Sequence, residues 1–275
     1  MTQPRISASG YSNTAPLVWS FLYGSNHGKV ELILDNAPAR SAELLGTGRV
    51  DAALVPVIAY QQIDGVRLIP HVCVGARQRV RSVCLVTDGR ELSDVRSVAL
   101  DVSSKTSVVL TKIIFREFLG FEPEWRDAAP DIDAMLTASD AALLIGDPAL
   151  SIAECGVRNP ESNRKSKIQD LRSFDLAELW HHHTGLGFVF AMWMTKNEGC
   201  EIDFAAARDE GLAHLDAIIA NYTPDIGLSH DAMREYLSQN ISYEIDDSMR
   251  QGMELYFELA AGNDLIARNK PLKFI

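Results

Sequence analysis

Twice in this chain an aspartate leads straight into a run of small and apolar residues: Asp51-Ala52-Ala53-Leu54-Val55 and Asp140-Ala141-Ala142-Leu143-Leu144-Ile145. Apolar runs of this length, without polar alternation, belong to strands covered on both faces. Each run closes a block of the same order. The first block reads as a strand over residues 5–9, a helix over 13–23, a strand over 30–34, a helix over 37–47, then the apolar run. The second reads as a strand over 97–100, a helix over 104–119, a strand near 123–126, a helix over 131–138, then the second run. Local signals agree: Pro16 suits a first helical turn, and Gly46 and Gly48 suit a helix end. Alternating strands and helices predict α/β layers built on parallel sheets.

Two like blocks predict two lobes. Further strands are expected over 80–87 and 187–194, and a mostly helical return over 203–221, 231–240 and 247–261. A polar stretch over 158–167 precedes Trp180. The chain is expected to cross between lobes near residues 86–88 and again near 184–188. That assigns residues 1–86 and 188–275 to a first, discontinuous lobe and residues 87–187 to a second. A ligand cleft belongs between them, at the ends of the parallel strands.

Composition sets limits on partners. The net charge of −11 over 275 residues argues against a general nucleic-acid binder, which needs a basic face. It leaves room for an anionic small molecule, because local donors outweigh the global field. Cys73, Cys84, Cys155 and Cys200 show no C-x-x-C spacing, so buried reduced thiols are expected. No signal-peptide core and no apolar run near the roughly 20 residues of a membrane span stand in the sequence, so a cytoplasmic protein is expected. Nucleotide, dinucleotide and zinc-protease motifs are missing, so no cofactor and no metal is expected. The run His181-His182-His183 does not alter this, since neighbours on a helix point apart and rarely converge on one ion.

The stretch Leu100-Asp101-Val102-Ser103-Ser104-Lys105-Thr106-Ser107 carries the chemistry most visibly. A strand ends on an acid, hydroxyls cluster, and an apolar pattern of helical period follows. Such a strand–turn–helix aims backbone N–H groups and hydroxyls at one point, which suits an anion. An ordinary Ser/Thr helix cap gives the same pattern. Asp147 has a similar ambiguity: it either orients a donor or caps the helix that starts at Pro148.

An ordered set of segments decides between generic readings. Arg5-Ile6-Ser7 and Tyr11-Ser12-Asn13-Thr14-Ala15-Pro16-Leu17 come first, followed by the Asp51 run, Arg81-Ser82-Val83 and the Asp101–Ser107 turn. Leu144-Ile145-Gly146-Asp147-Pro148-Ala149-Leu150 and Trp180 with Thr184-Gly185-Leu186-Gly187-Phe188-Val189-Phe190 complete it. Together, from about residue 5 to 266, they resemble the chorismate dehydratase family of the futalosine route to menaquinone. The resemblance implies a two-lobed fold of the type II periplasmic-binding-protein kind. It implies that chorismate loses water to give 3-[(1-carboxyvinyl)oxy]benzoate: a ring proton leaves from the ether-bearing carbon, the neighbouring hydroxyl departs, and the ring becomes aromatic. That task asks for positioning and fixed dipoles more than for a strong base.

By the same resemblance, Asn13 and Ser82 are the catalytic residues. Ser103, Ser104 and Thr106 bind a substrate carboxylate, with Tyr11, Gly146 and Asp147 around the ligand. Ser12 stands where the family carries leucine; it is expected to face away from the cleft or to tolerate polarity, altering packing rather than chemistry. The proton acceptor is left open between the substrate's own enolpyruvyl carboxylate and a side chain such as His71. Two rivals share the fold: the 1,4-dihydroxy-6-naphthoate synthase of the same route, and a non-catalytic protein that binds a small carboxylate. The sequence sets no oligomeric state.

Overall fold

The computed structural model describes residues 3–35, 37–155, 171–197 and 200–275. The expected polar stretch at 158–167 lies outside them. Among the described residues ten strands form two five-stranded sheets. The first block supplies β1 (Arg5–Ser9), α1 (Ala15–Leu22), β2 (Glu31–Asp35), α2 (Pro38–Gly46), β3 (Ala52–Pro56), α3 (Ala59–Gln62) and β4 (Arg67–Ala76). The second supplies β5 (Val83–Thr87), β6 (Ser97–Asp101), α4 (Thr106–Ile113), β7 (Glu124–Ala128), α5 (Ile132–Ala138), β8 (Ala141–Ile145), α6 (Gly146–Cys155), β9 (Arg172–Asp175) and α7 (Leu176–Thr184). The chain then returns through β10 (Phe188–Thr195), α8 (Phe204–Ala213), α9 (Leu215–Ile226), α10 (His230–Glu235) and α11 (Asp247–Gly262).

The sheets have the orders β2-β1-β3-β10-β4 and β7-β6-β8-β5-β9, and each element of one has its counterpart in the other. In both, three parallel strands are followed by one antiparallel strand. The two antiparallel strands, β10 and β5, are those that follow the crossings between lobes. The sheets are therefore mixed rather than wholly parallel, because a strand entering from the other lobe arrives from the opposite end. One expected boundary also moves. β5 pairs with β8 and β9 in the second sheet, so the chain leaves the first lobe before Val83 and not at 86–88.

Burial follows the strand positions. β3, β5 and β8 are buried at every residue, whereas the edge strands β2 and β7 carry Glu31, Glu124, Arg126 and Asp127. Charged edges discourage pairing with other chains. In the second sheet the alternation of strand side chains divides the core. Val83, Leu85, Val98, Leu100, Ala141 and Leu143 join the large cluster that runs on into the first lobe. Cys84, Val86, Ala99, Ala142 and Leu144 form a separate core with Met135 and Ala149.

Both crossings are pinned near one place. Asp175 is buried at the start of α7. Its carboxylate accepts from Val80 N at 3.0 Å, Arg81 N at 2.5 Å, Ala177 N at 2.9 Å and Glu178 N at 3.1 Å. One side chain thus caps a helix and holds the first crossing, where Arg81 has φ of 63°. Trp180, also fully buried, packs edge-on against Phe188 and Tyr256, and its indole N–H donates to Gly187 O at the second crossing. Among the described residues no helix is long and apolar enough to cross a membrane.

Candidate active site

The C-terminal ends of the corresponding strands β1 and β6, and of β3 and β8, face one another across a cleft, the place where α/β sheets bind ligands. The cleft has about 540 Å³ of space, counting the part open to solvent. Tyr11 and Asn13 reach it from the loop after β1, and Pro56 from the end of β3. Ser104, Thr106 and Ser107 reach it from the opening of α4, and Gly146 from the turn after β8. Polar groups therefore converge from both lobes on a wall otherwise made of residues such as Leu54, Val83 and Phe190.

The turn before α4 has both properties left open by its sequence. Ser104 Oγ accepts from Ser107 N at 3.3 Å, an ordinary cap interaction, while Ser104 also lines the cleft. The helix therefore presents the positive end of its dipole to the space where an anion would sit. Thr106 Oγ1 accepts a 3.4 Å bond from Ile58 N in the other lobe, and Thr106 O accepts from the Tyr256 hydroxyl at 3.0 Å. Ser103 does something else. Its N–H and hydroxyl both donate to Asp101 Oδ1, at 2.8 and 2.6 Å, and it is not among the cleft-lining residues. Asp101 itself is buried, and that burial raises its pKa against the pull of the Ser103 donors. Ser107, which no reading of the sequence singled out, takes the place on the cleft expected of Ser103.

Asp147 is an interlobe group. Ser12 N lies 3.2 Å from each of its carboxylate oxygens, and Ser12 Oγ donates to Oδ1 at 2.5 Å. Burial raises the Asp147 pKa, and the Ser12 donors pull it back. The carboxylate thus serves the loop of the opposite lobe. Ser12 is fully buried, is not among the cleft-lining residues, and has its polarity taken up by the carboxylate of the other lobe. Beside this contact, Gly146 has φ of 66°, a conformation glycine adopts without strain. A Cβ there would stand 2.9 Å from the Tyr11 ring, so the two lobes touch with no room for a side chain.

Asn13 is buried but lines the cleft. Ser82 is fully buried behind it; its carbonyl accepts from Gly146 N at 2.8 Å, while its hydroxyl has no partner. His71 stands apart: it is exposed in a β4 irregularity with φ of 63° and is absent from the cleft wall. Of the described lining residues only Tyr11 is ionisable, and burial raises its pKa first of all, so it is a poor proton acceptor at neutral pH. The described residues of the cleft wall offer hydroxyl, amide and N–H groups and, among them, no carboxylate, ammonium, guanidinium or imidazole.

The remaining candidates carry no chemistry of this kind. Cys73 and Cys84 are buried free thiols, Cys84 pushed up to about 12 by burial, and Cys200 is half-buried; the Cys155 side chain lies outside the described residues. In the last turn of α7, His181 Nδ1 lies 3.2 Å from Leu186 O and His183 stacks on Phe118. Among the described residues no three His, Cys, Asp or Glu side chains are grouped to hold a metal ion.

Two lobes of matched topology around a strand-end cleft define a periplasmic-binding-protein-like fold. Solved structures agree: a protein of Archaeoglobus fulgidus superimposes with a TM-score of 0.72 at 15% identity, covering 96% of this chain and 98% of its own. The periplasmic aliphatic sulphonate-binding protein of Escherichia coli does so with a TM-score of 0.64 at 15% identity, covering 100% and 94%. At such identity these likenesses show the fold alone. Residues 4–262 match the family model for menaquinone biosynthesis. The chain is 30% identical over 261 residues to the chorismate dehydratase of Thermus thermophilus, covering 90% of this chain and 92% of that protein. It belongs to this menaquinone-biosynthesis family, as the order of its sequence motifs implies.

Proposed function

We propose that the protein is a chorismate dehydratase, a carbon–oxygen lyase that removes water from chorismate to give 3-[(1-carboxyvinyl)oxy]benzoate on the futalosine route to menaquinone, in the cytoplasm. The observation that carries this reading is the make-up of the cleft: neutral donors from both lobes, with Tyr11 the one ionisable side chain among the described lining residues. Such a site suits a substrate that brings its own base and needs only to be held. Ser104, Thr106 and the N-terminal end of α4 take the ring carboxylate, where charge accumulates as the proton leaves. The enolpyruvyl carboxylate takes the proton from the ether-bearing carbon. The electron pair passes into the ring, the C–O bond to the neighbouring hydroxyl breaks as the enolpyruvyl carboxyl hands the proton on to it, water leaves, and aromaticity is gained. Asn13 donates to the departing hydroxyl, and Ser82 orients the enolpyruvyl carboxylate. Tyr11, Gly146 and Asp147 close the lobes over the ligand, which excludes water and strengthens each fixed dipole.

Relatedness to a chorismate dehydratase supports the substrate. Incubation of the purified protein with chorismate, and separately with the cyclic futalosine intermediate, followed by product analysis, tests the reading. Conversion of chorismate alone is expected, at a rate unchanged by chelator. Conversion of the cyclic intermediate would assign the protein to the naphthoate synthase step, and binding without turnover would make it a carboxylate-binding protein.

A further inference from the structure

The helical return brings one more polar group to the site, from a part of the chain that no motif marked. Tyr236 opens a π-helical turn, Tyr236–Asn240, directly after α10. Its side chain is fully buried, yet its hydroxyl has no hydrogen-bond partner. The Ser82 hydroxyl is in the same condition. The Ser82 hydroxyl and the Asn13 amide are the two side-chain groups within reach of the Tyr236 hydroxyl. The turn is tied to the segment that carries Ser82, because Arg81 Nη1 donates to Asn240 Oδ1 at 3.4 Å. Buried hydroxyls are nearly always satisfied, so two that approach one another without a well-formed hydrogen bond mark a place with a use. Burial raises the Tyr236 pKa far above that of an ordinary phenol, so its proton stays in place at any working pH. A phenol that keeps its proton next to a serine hydroxyl acts as a donor, and the serine as its acceptor.

We propose that Tyr236 is a positioning residue for the dehydration: its O–H donates to Ser82 Oγ once substrate is bound, which turns the Ser82 hydrogen toward the enolpyruvyl carboxylate. Without that donor Ser82 Oγ–H is free to rotate, and the carboxylate loses the contact that aligns it with the ring proton. The role rests on the dehydratase reading. It adds to that reading a residue from the C-terminal helices, which hold none of the sequence motifs that suggested the family.

The test is Tyr236→Phe, which deletes one oxygen and keeps the ring in the core. Since the hydroxyl makes no well-formed hydrogen bond in the free protein, the melting temperature should stay within about 2 °C of wild type. Titration with the benzoate product should give an affinity within about threefold. Turnover should fall about tenfold or more, the signature of an interaction made mainly in the transition state. Adding the substitution to Ser82→Ala should cost much less than it does alone, because only the Asn13 amide would remain within reach of the phenol. Wild-type turnover with Tyr236→Phe within twofold of it overturns the proposal alone. So does a loss of melting temperature, affinity and turnover together, which is a packing defect, or full multiplication of the two losses in the double variant. Absence of turnover in the wild type overturns the dehydratase reading and this proposal with it.

Discussion

Removing the Ser12 hydroxyl tests whether lobe closure is what binds the ligand. In the closed arrangement Asp147 receives its donors from Ser12: the N–H at 3.2 Å to each oxygen and Oγ at 2.5 Å to Oδ1. Ser12→Ala keeps the backbone contact and deletes the shorter bond. A hydrogen bond to a charged group contributes about 1.5–3 kcal/mol net, and a mostly buried carboxylate has little water to replace it. When the lobes part, Asp147 meets solvent and the loss disappears, so the substitution acts on the closed state alone. At 1.36 kcal/mol per decade, closure becomes roughly 10- to 150-fold less favourable. Apparent affinity falls by up to that factor where the closed form is a minor species of the free protein. Fluorescence titration with the benzoate product reads the affinity, and thermal melting controls for folding. Ser12→Leu sets an apolar side chain against the carboxylate and should do no better than alanine. An alanine variant that binds product within twofold of wild type, at unchanged melting temperature, would refute the argument.

Two further perturbations follow from the geometry. Ser104→Asp retains an oxygen able to cap α4 but sets a negative charge beside the anion; the fold should hold while product affinity drops by more than the ~1 kcal/mol scale of a lost cap, and equal affinity would move the anion elsewhere. Burial holds Asp175 up to about 6 against four backbone N–H donors, from an ordinary value of 3.8. Its folded pKa is therefore raised, so its contribution to stability is full below about pH 4 and is lost as pH rises through about 6. Urea unfolding of wild type and Asp175→Asn between pH 4 and 7 should show the wild-type advantage shrinking with pH, by at most about 3 kcal/mol, whereas a constant difference would contradict the assignment.

Much of the scaffold was legible because continuous apolar strands and capped helices leave strong marks. The two aspartate-led runs are β3 and β8, and the blocks they close occupy corresponding places in the two sheets. Less was legible where tertiary contacts decide. β4 contains Pro70 and Gly75, residue types that disfavour a strand interior, and it tolerates them with a register irregularity. The sheet that β5 joins is set by its neighbours, and no residue within it tells. The expected helix over 104–119 is α4 followed by a π-helical stretch to Leu119, and the expected helix over 203–221 breaks at His214. At the site, Asn13, Ser104, Thr106, Tyr11 and Gly146 line the cleft, while Ser82 and Asp147 stand behind it. Ser103 spends its donors on Asp101, which a Ser-Ser pair in one turn does not disclose. Ser12 looked like a packing change because its partner lies 135 residues away, in the other lobe.

The central claim is that a cleft of neutral donors carries out the dehydration, with Asn13 addressing the departing hydroxyl. Steady-state turnover of chorismate by Asn13→Ala, paired with product titration, tests it most directly. Loss of a donor used in the transition state typically costs about 100-fold or more in turnover. The account predicts a folded variant that binds the product nearly as wild type does and turns over chorismate at least about 100-fold more slowly. Near-normal turnover with failed binding would contradict it, leaving Asn13 a clamp for the substrate and no more.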